Sequence, residues 1–287
     1  MALRAKMTLA VLGSLTVALI LAFGIASLRQ ARSTSAFVET VLAAAPPGRP
    51  NPVDFQQFEG LPLPVGRYLR HVLRDGQQPI QVARLRQVGE LRTDVERDRW
   101  SPFEASHVIA PLVNGFVWNA RLRIAPLLHV RVRDAYFAGQ GSGRVSLVSA
   151  ITVAAESGRH EMNAGSLHRY LAEAVWYPTA LLPSSALRWS PISDTKALAT
   201  LTDAGVEVSL EFWFNDAGEV TGIYSPGRWG RFQGQFIQTP WEGHFRQYER
   251  NSGMLVPSEG EVGWYAAGQW RPVWRGRIVE ASYELAP

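Results

Sequence analysis

From Val206 to Phe214 the chain alternates without a break, with Val206, Val208, Leu210, Phe212 and Phe214 on one side and Glu207, Ser209, Glu211 and Trp213 on the other. A period of two sends successive side chains to opposite faces of a strand, so one face is prepared for a core. Asp203-Ala204-Gly205 and Asn215-Asp216-Ala217-Gly218 bracket the run as turns, which predicts a three-strand meander over 197–202, 206–214 and 220–224. The same alternation sets Trp118, Ala120, Leu122 and Ile124 against Asn119, Arg121 and Arg123, and Leu128, Val130 and Val132 against His129, Arg131 and Arg133. Tryptophan-rich strands through Tyr248, Val262, Trp264, Trp274, Ile278 and Tyr283 close the chain. Asp134 falls on the apolar side of its strand, where a β-bulge is the ordinary explanation and a functional carboxylate the alternative.

Against this background one segment is helical. Leu167, Leu171, Ala174 and Val175, with Tyr170 beside them, share a face at the 3.6-residue period, and the predicted helix spans 164–177. Asn163 or Ser166 supplies its cap, and Pro178 ends it near Trp176. The segment also gathers His168, Arg169, Tyr170, Glu173, Trp176 and Tyr177, the densest set of chemistry-bearing side chains in the chain. A shorter helix is expected from Pro64 through Tyr68, Leu69 and Val72.

The N-terminal part is of another kind. Met7 to Leu28 is a run of 22 residues without a charge, spanning about 33 Å as a helix against a bilayer core of about 30 Å. Gly24-Ile25-Ala26 offers a small-x-small cleavage site, but the apolar region of a signal peptide is shorter, so residues 1–32 read as an uncleaved anchor with a signal peptide as the alternative. Residues 33–60, Pro-rich from Ala45 to Pro52, read as a tether, and 61–287 as a single domain.

The formal charge of +4 comes from this anchor. Its first 32 residues hold Arg4, Lys6, Arg29 and Arg32 and no acid, leaving 25 basic against 25 acidic residues in the remainder. A neutral domain lacks the basic footprint of a nucleic-acid binder.

The usual catalytic motifs are missing or broken. His160-Glu161-Met162-Asn163-Ala164 begins like a His-Glu-x-x-His zinc helix, but Ala164 stands where the second ligand belongs, so no metal is expected. Gly139 to Gly143 has Arg144 where a dinucleotide loop needs its last glycine, and a β-branched run follows; it reads as a hairpin loop and implies no cofactor. With no Gly-x-Ser-x-Gly elbow and no cysteine, the enzymatic option left is a hydrolase pairing His168 with Glu173 or Asp134, a structural histidine being the other reading. Pro226 to Phe232 and Thr239 to Phe245 place tryptophan beside charge in a loop-like context, either as a rim around a cavity or partner surface or as loops folded over the sheet.

His168-Arg169-Tyr170-Leu171-Ala172-Glu173-Ala174-Val175-Trp176-Tyr177-Pro178, Phe214-Asn215-Asp216-Ala217-Gly218-Glu219-Val220 and Thr239-Pro240-Trp241-Glu242-Gly243-His244-Phe245 resemble a bacterial membrane-anchored family known only as a domain of unknown function. The likeness covers about Leu61 to Pro287. More remotely, the final third is similar to periplasmic lipoprotein carriers of the LolA-like kind, through a strand ending in Asn/Asp-x-x-Gly, an aromatic strand and a turn such as Asn251-Ser252-Gly253 before Val256-Pro257. That similarity implies a half-barrel, a strongly curved antiparallel sheet wrapped around helices that line an apolar cavity. The chain lacks the lipid-attachment cysteine of related envelope lipoproteins.

These readings combine into an α+β expectation: a large, curved, mostly antiparallel sheet carrying the 164–177 helix on its concave face, behind one transmembrane helix. The expected role is non-enzymatic binding of a lipid or other apolar ligand at the cell envelope. Leu167, Tyr170, Leu171, Val175, Trp176, Tyr177, Arg228, Trp229, Trp241 and His244 are the expected ligand-binding residues. A chain of about 16 carbons enclosed there gains about 12 kcal/mol before costs. The alternatives are the hydrolase built on His168 and a protein-interaction module presenting Trp229 and Trp241. The expected place is a bacterial inner membrane crossed once, with the amino terminus cytoplasmic and the domain periplasmic or otherwise extracytoplasmic.

Overall fold

The computed structural model describes residues 2–44, 50–92, 94–125 and 128–287, with the side chains of residues 2–6, 8–12, 15, 16 and 19 outside that description. The centre of the expected Pro-rich tether, 45–49, and the flanking charges of Arg4 and Lys6 therefore lie outside the described residues.

Helix α1 (Ala2–Ala43) is followed by α2 (Leu63–Val72). The strands are β1 (Ile80–Leu91), β2 (Ser101–Ala110), β3 (Gly115–Ala125), β4 (Leu128–Phe137), β5 (Gln140–Leu147) and β6 (Ile151–Ser157), then helix α3 (His160–Glu173), then β7 (Leu187–Ser193), β8 (Lys196–Asp203), β9 (Val206–Phe214), β10 (Val220–Phe232), β11 (Gln235–Asn251), β12 (Met254–Ala266) and β13 (Gln269–Leu285). All thirteen strands of the described residues form one curved sheet in the order β6-β5-β4-β3-β2-β1-β13-β12-β11-β10-β9-β8-β7. Every neighbouring pair is antiparallel, and the seam joining the two halves is β1 on β13, from Ile80 opposite Leu285 to Leu91 opposite Trp274. The predicted meander is present, with β9 at the expected bounds. Its first turn, Ala204-Gly205, has φ of 46° and 82°; positive values at both positions match the right-handed twist of the paired strands.

Between β6 and β7 the chain enters the concave side as α3, which packs on β4 and β5 from one half of the sheet and on β9 and β10 from the other. Two glycines permit this depth. A Cβ on Gly141 would stand 2.5 Å from the Met162 carbonyl oxygen, and one on Gly165 would stand 2.8 Å from that of Trp229. The two flanks are also tied directly, because Asp203 at the end of β8 accepts from the Tyr136 hydroxyl at 2.8 Å and from the Asn114 amide at 2.9 Å.

Several expectations need correcting. Helix α3 starts at His160, a turn before the expected 164, and its first residues carry no side-chain cap; Asn163 lies inside the helix and accepts from the Gly141 N–H at 2.8 Å. The α-helix gives way to a 3-10 turn at Ala174–Trp176 before Pro178. Asp134 sits in regular register opposite Trp118, and the nearest irregularity is between Arg123 and Ala125, so no bulge explains it. The glycine-rich segment turns only at Ala138-Gly139, leaving Gly141 and Gly143 inside β5. The stretches Pro226–Phe232 and Thr239–Phe245 are strands that pair with each other, not loops. A register shift between Ser225 and Arg228 takes up Pro226 and Gly227, which is how a strand accommodates a residue without an N–H.

Helix α1 continues to Ala43, so residues 33–43, read as the start of a tether, are helical. Phe37, Val38, Val41 and Leu42 cover Ala110, Val117, Ala135 and Phe137 on the convex side of the sheet, and Gln30 donates to Ser146 Oγ at 2.6 Å. Among the described residues no helix is long and apolar enough to cross a membrane.

Candidate functional site

Helix α3 and the 3-10 turn that continues it present two inward faces, set by the step of about 100° per residue in the α-helix. Leu167, Tyr170, Leu171, Ala174 and Val175 share one and are 1% exposed or less. Arg169, Ala172, Glu173 and Trp176 follow the same i, i+3, i+4, i+7 spacing on the other, and they border a hollow of about 250 Å3. The sheet supplies the rest of its wall: Trp118 of β3, Val132 and Asp134 of β4, Arg228 of β10, Trp241 and Phe245 of β11, Val262 and Trp264 of β12, with Leu91, Val273 and Trp274 where β1 meets β13. Trp118, Val132 and Asp134, Trp241 and Phe245, and Val262 and Trp264 follow the two-residue period of their strands, while the neighbours Val273 and Trp274 both reach the wall where a register shift interrupts the β12–β13 pairing.

Two arginines cross this apolar wall. Arg169 Nε donates to Glu173 Oε1 at 3.0 Å and Nη1 to Asp134 Oδ2 at 2.9 Å, while its guanidinium lies over the Trp118 and Phe116 rings at 4.6 and 5.4 Å. Both carboxylates are thus committed to one cation, which is why Asp134 tolerates an inward position. Arg228 is held differently: it stacks between Trp241 and Trp264, 4.5 and 4.9 Å from the ring centroids, and donates through Nη2 to the Gly165 carbonyl at 2.9 Å. Burial, with Arg169 adding a like charge, brings the Arg228 guanidinium down to about 10, so it remains a cation at neutral pH.

Burial pushes the Glu173 carboxyl up against the opposing pull of Arg169. Its Oε2 comes to 3.6 Å from His107 Nε2, but burial and the Arg169 charge hold the His107 imidazole well below its ordinary range. The contact therefore joins a neutral ring to a carboxylate and is not an ion pair. On the residues that line the hollow, four polar atoms are buried without a hydrogen-bond partner among the described residues: Trp176 Nε1, Trp274 Nε1, Arg228 Nε and Glu173 Oε2; both ring nitrogens of His107, behind Glu173, are likewise unpartnered.

Of the residues expected to bind a ligand, Trp176, Arg228 and Trp241 line this hollow. Leu167, Tyr170, Leu171, Val175 and Tyr177 are packed solid in the core. Trp229 borders a neighbouring depression of about 180 Å3 that shares Asp134, Arg169, Arg228 and Trp264 with the hollow. His244 does not face the cavity: its phase alternates with the buried Trp241 and Phe245, and it bonds Glu242 at 2.9 Å beside the Trp270 ring.

The catalytic candidates are also separated. Glu173 and Asp134 meet at Arg169, whereas His168 Nε2 lies 3.0 Å from the Ser209 carbonyl of β9. Facing an acceptor, that nitrogen carries the proton, and burial together with the Arg228 charge brings the imidazole down to about 4. Among the described residues no carboxylate pairs with it. It acts as a neutral donor tying α3 to the sheet. No group of histidines and carboxylates among the described residues is arranged for a metal ion.

Residues 51–276 match a family described as a family of unknown function, DUF6544. No curated protein matches the chain. Among solved structures, the chain is similar to a LolA superfamily protein from Nitrosomonas europaea, at 9% identity and a TM-score of 0.42, over 79% of this chain and 95% of that one. It is also similar to a beta-barrel-like protein of a domain of unknown function, DUF1849, from Brucella abortus, at 11% identity and a TM-score of 0.21, over 72% of this chain and 99% of that one. The resemblances read from the sequence, to a family of unknown function and remotely to the LolA superfamily, are borne out.

Proposed function

The chain belongs to DUF6544, a family of unknown function, and from its own geometry we propose that it binds a small lipid or other apolar ligand at the cell envelope. The observation that carries this reading is the hollow of about 250 Å3 between α3 and the sheet, walled mainly by indole, phenyl and aliphatic side chains. A cavity of about 150 Å3 is enough to take up benzene, and ligand pockets run from about 300 Å3 upward. The size supports a compact ligand or the inserted end of a longer chain, and it argues against enclosing all of a 16-carbon acyl chain. Trp118, Trp264 and Trp274 complete the proposed site beside Trp176, Arg228 and Trp241.

The same proposal places the chain at a membrane, in a bacterial inner membrane with the domain on the extracytoplasmic side. The uncharged run from Met7 to Leu28 supports this, as does the exposure of Val17, Ile20, Leu21, Ile25 and Leu28 on α1, since a contiguous apolar surface of that kind calls for a cover. The hydrolase reading has no comparable support, because His168 and the two carboxylates serve different partners.

Native mass spectrometry of the full chain tests the binding reading: a co-purifying or added apolar molecule held at one per chain is expected, and a chain that holds none overturns it. Alkaline carbonate washing of membranes tests the anchor, with the chain expected in the pellet; release into the wash counts against it.

A further inference from the structure

The wall of the hollow is unbalanced in its hydrogen-bonding chemistry. Arg169 is satisfied by two carboxylates, 3.0 and 2.9 Å away. Arg228, on the facing strand, has no carboxylate partner among the described residues, and its Nε is buried without an acceptor. Trp176 and Trp274, whose ring centroids are 6.0 Å apart, likewise present indole N–H groups without an acceptor. Indole and guanidinium nitrogens only donate. Among the residues that line the hollow, three orphaned donors thus stand against a single orphaned acceptor, Glu173 Oε2. A buried donor left unpaired is costly, so a wall of this composition is suited to a guest that brings acceptors.

Position agrees with composition. Arg228 borders both the inner hollow and the outer depression next to Trp229, so a guest whose apolar end is inserted leaves its other end beside this guanidinium. The ring faces of Trp241 and Trp264 keep the cation desolvated and its plane fixed. A planar, preorganised fork of that kind recognises carboxylate and phosphate oxygens.

Resting on the apolar-ligand reading, we infer that the guest is a single-chain amphiphile with an anionic oxyacid head, received by Arg228 at the junction of the hollow and the outer depression. Charge supports this choice. Asp134 and Glu173 both pair with Arg169, which leaves Arg228 as the wall's cation without a carboxylate partner among the described residues. An anionic head supplies that partner, whereas a cationic head would meet an unpaired guanidinium.

The test uses the full chain in phosphatidylcholine nanodiscs, titrated with decanoate, decyl phosphate and 1-decanol while tryptophan fluorescence is followed. At least tenfold tighter binding of one or both anions than of decanol is expected, and the stronger anion tells a carboxylate head from a phosphate one. Arg228→Gln is expected to remove this preference, bringing the anion and decanol affinities within twofold of each other. Equal or weaker binding of both anions by the wild-type chain overturns the anionic head and leaves the apolar-ligand reading standing. Binding of none of the three overturns both. The wild-type comparison stands even where Arg228→Gln does not fold, and a folded Arg228→Gln that keeps the preference assigns the head to another group and overturns the role of Arg228.

Discussion

The two inward faces of α3 meet the same curved sheet on different terms. On one, Leu167, Tyr170, Leu171, Ala174 and Val175 are buried in the core, where α3 packs on β9. On the other, half a helical turn away, Arg169, Ala172, Glu173 and Trp176 border a hollow crossed by two guanidinium groups. The first face gains dispersion contacts from every methylene it buries. The second forgoes such contacts along its lining and leaves indole N–H groups unpaired, both of which cost stability. A fold selected for stability alone would close the hollow with larger aliphatic residues. On the proposed reading, the small Ala172 and the unpaired indoles make the second face the one that meets a guest, while the first holds the helix in place.

The contrast breaks hardest on the packed side. Leu171→Ala is expected to cost about 3–5 kcal/mol, the range for deleting a buried leucine where the surroundings cannot collapse, read as a lower urea midpoint at constant slope. A cost below about 1 kcal/mol would mean that this face is as loosely filled as the other.

Next in size is a titration at the edge between the two faces. The fold accepts His168 only as a neutral donor to Ser209, with its pKa at about 4, while the unfolded chain titrates near 6.5. Between those values the unfolded state binds a proton that the folded state refuses. This contribution, about 3 kcal/mol, is therefore complete above pH 6.5 and is lost as the pH falls toward 4. His107, depressed by burial and by Arg169, adds a loss of the same sign. Urea unfolding across this range should show a steeper fall for the wild type than for His168→Gln, which keeps a donor but cannot titrate. Equal slopes would assign the acid sensitivity to other groups.

The packed face was legible in the sequence and the hollow face was not, for a physical reason. Leu167, Leu171, Ala174 and Val175 announce themselves by period, because burial among aliphatic neighbours is what periodicity reports. The β9 meander was legible in the same way, together with its X-Gly turns, and the bounds of Val206–Phe214 followed from alternation alone. Arg169 and Glu173 stand four apart and pair within α3 as their spacing allows, but on a helix or strand a charge ordinarily signals solvent; only the pairing of β3 with β4 and the depth of α3 bury that pair and bring Asp134 to it. Trp118, Trp264 and Trp274 did carry a signal, being large aromatics on the inward phase of three strands, but phase alone does not say which strands become neighbours across the β1–β13 seam. Pro226 and Gly227 hid the second half of β10, because a register shift that absorbs a proline has no mark of its own in the sequence.

The smallest expected change in stability falls on the hollow face and is the sharpest test of the comparison. Ala172 is only 1% exposed, so by burial alone it is indistinguishable from Leu171 beside it. In a packed interior, enlarging an alanine to leucine forces neighbours off their rotamers and costs about 1–3 kcal/mol. Here the added carbons point into about 250 Å3 of open space lined by Trp118, Trp176 and Trp274, where they gain contacts and displace nothing from the protein. Ala172→Leu is therefore expected to shift unfolding by less than about 1 kcal/mol, in either direction, while weakening the uptake of decanoate at least tenfold because the side chain occupies the same volume. A loss of 2 kcal/mol or more would show that the hollow closes in solution and that both faces of α3 are core. Unchanged stability with unchanged uptake would place the guest elsewhere on the sheet.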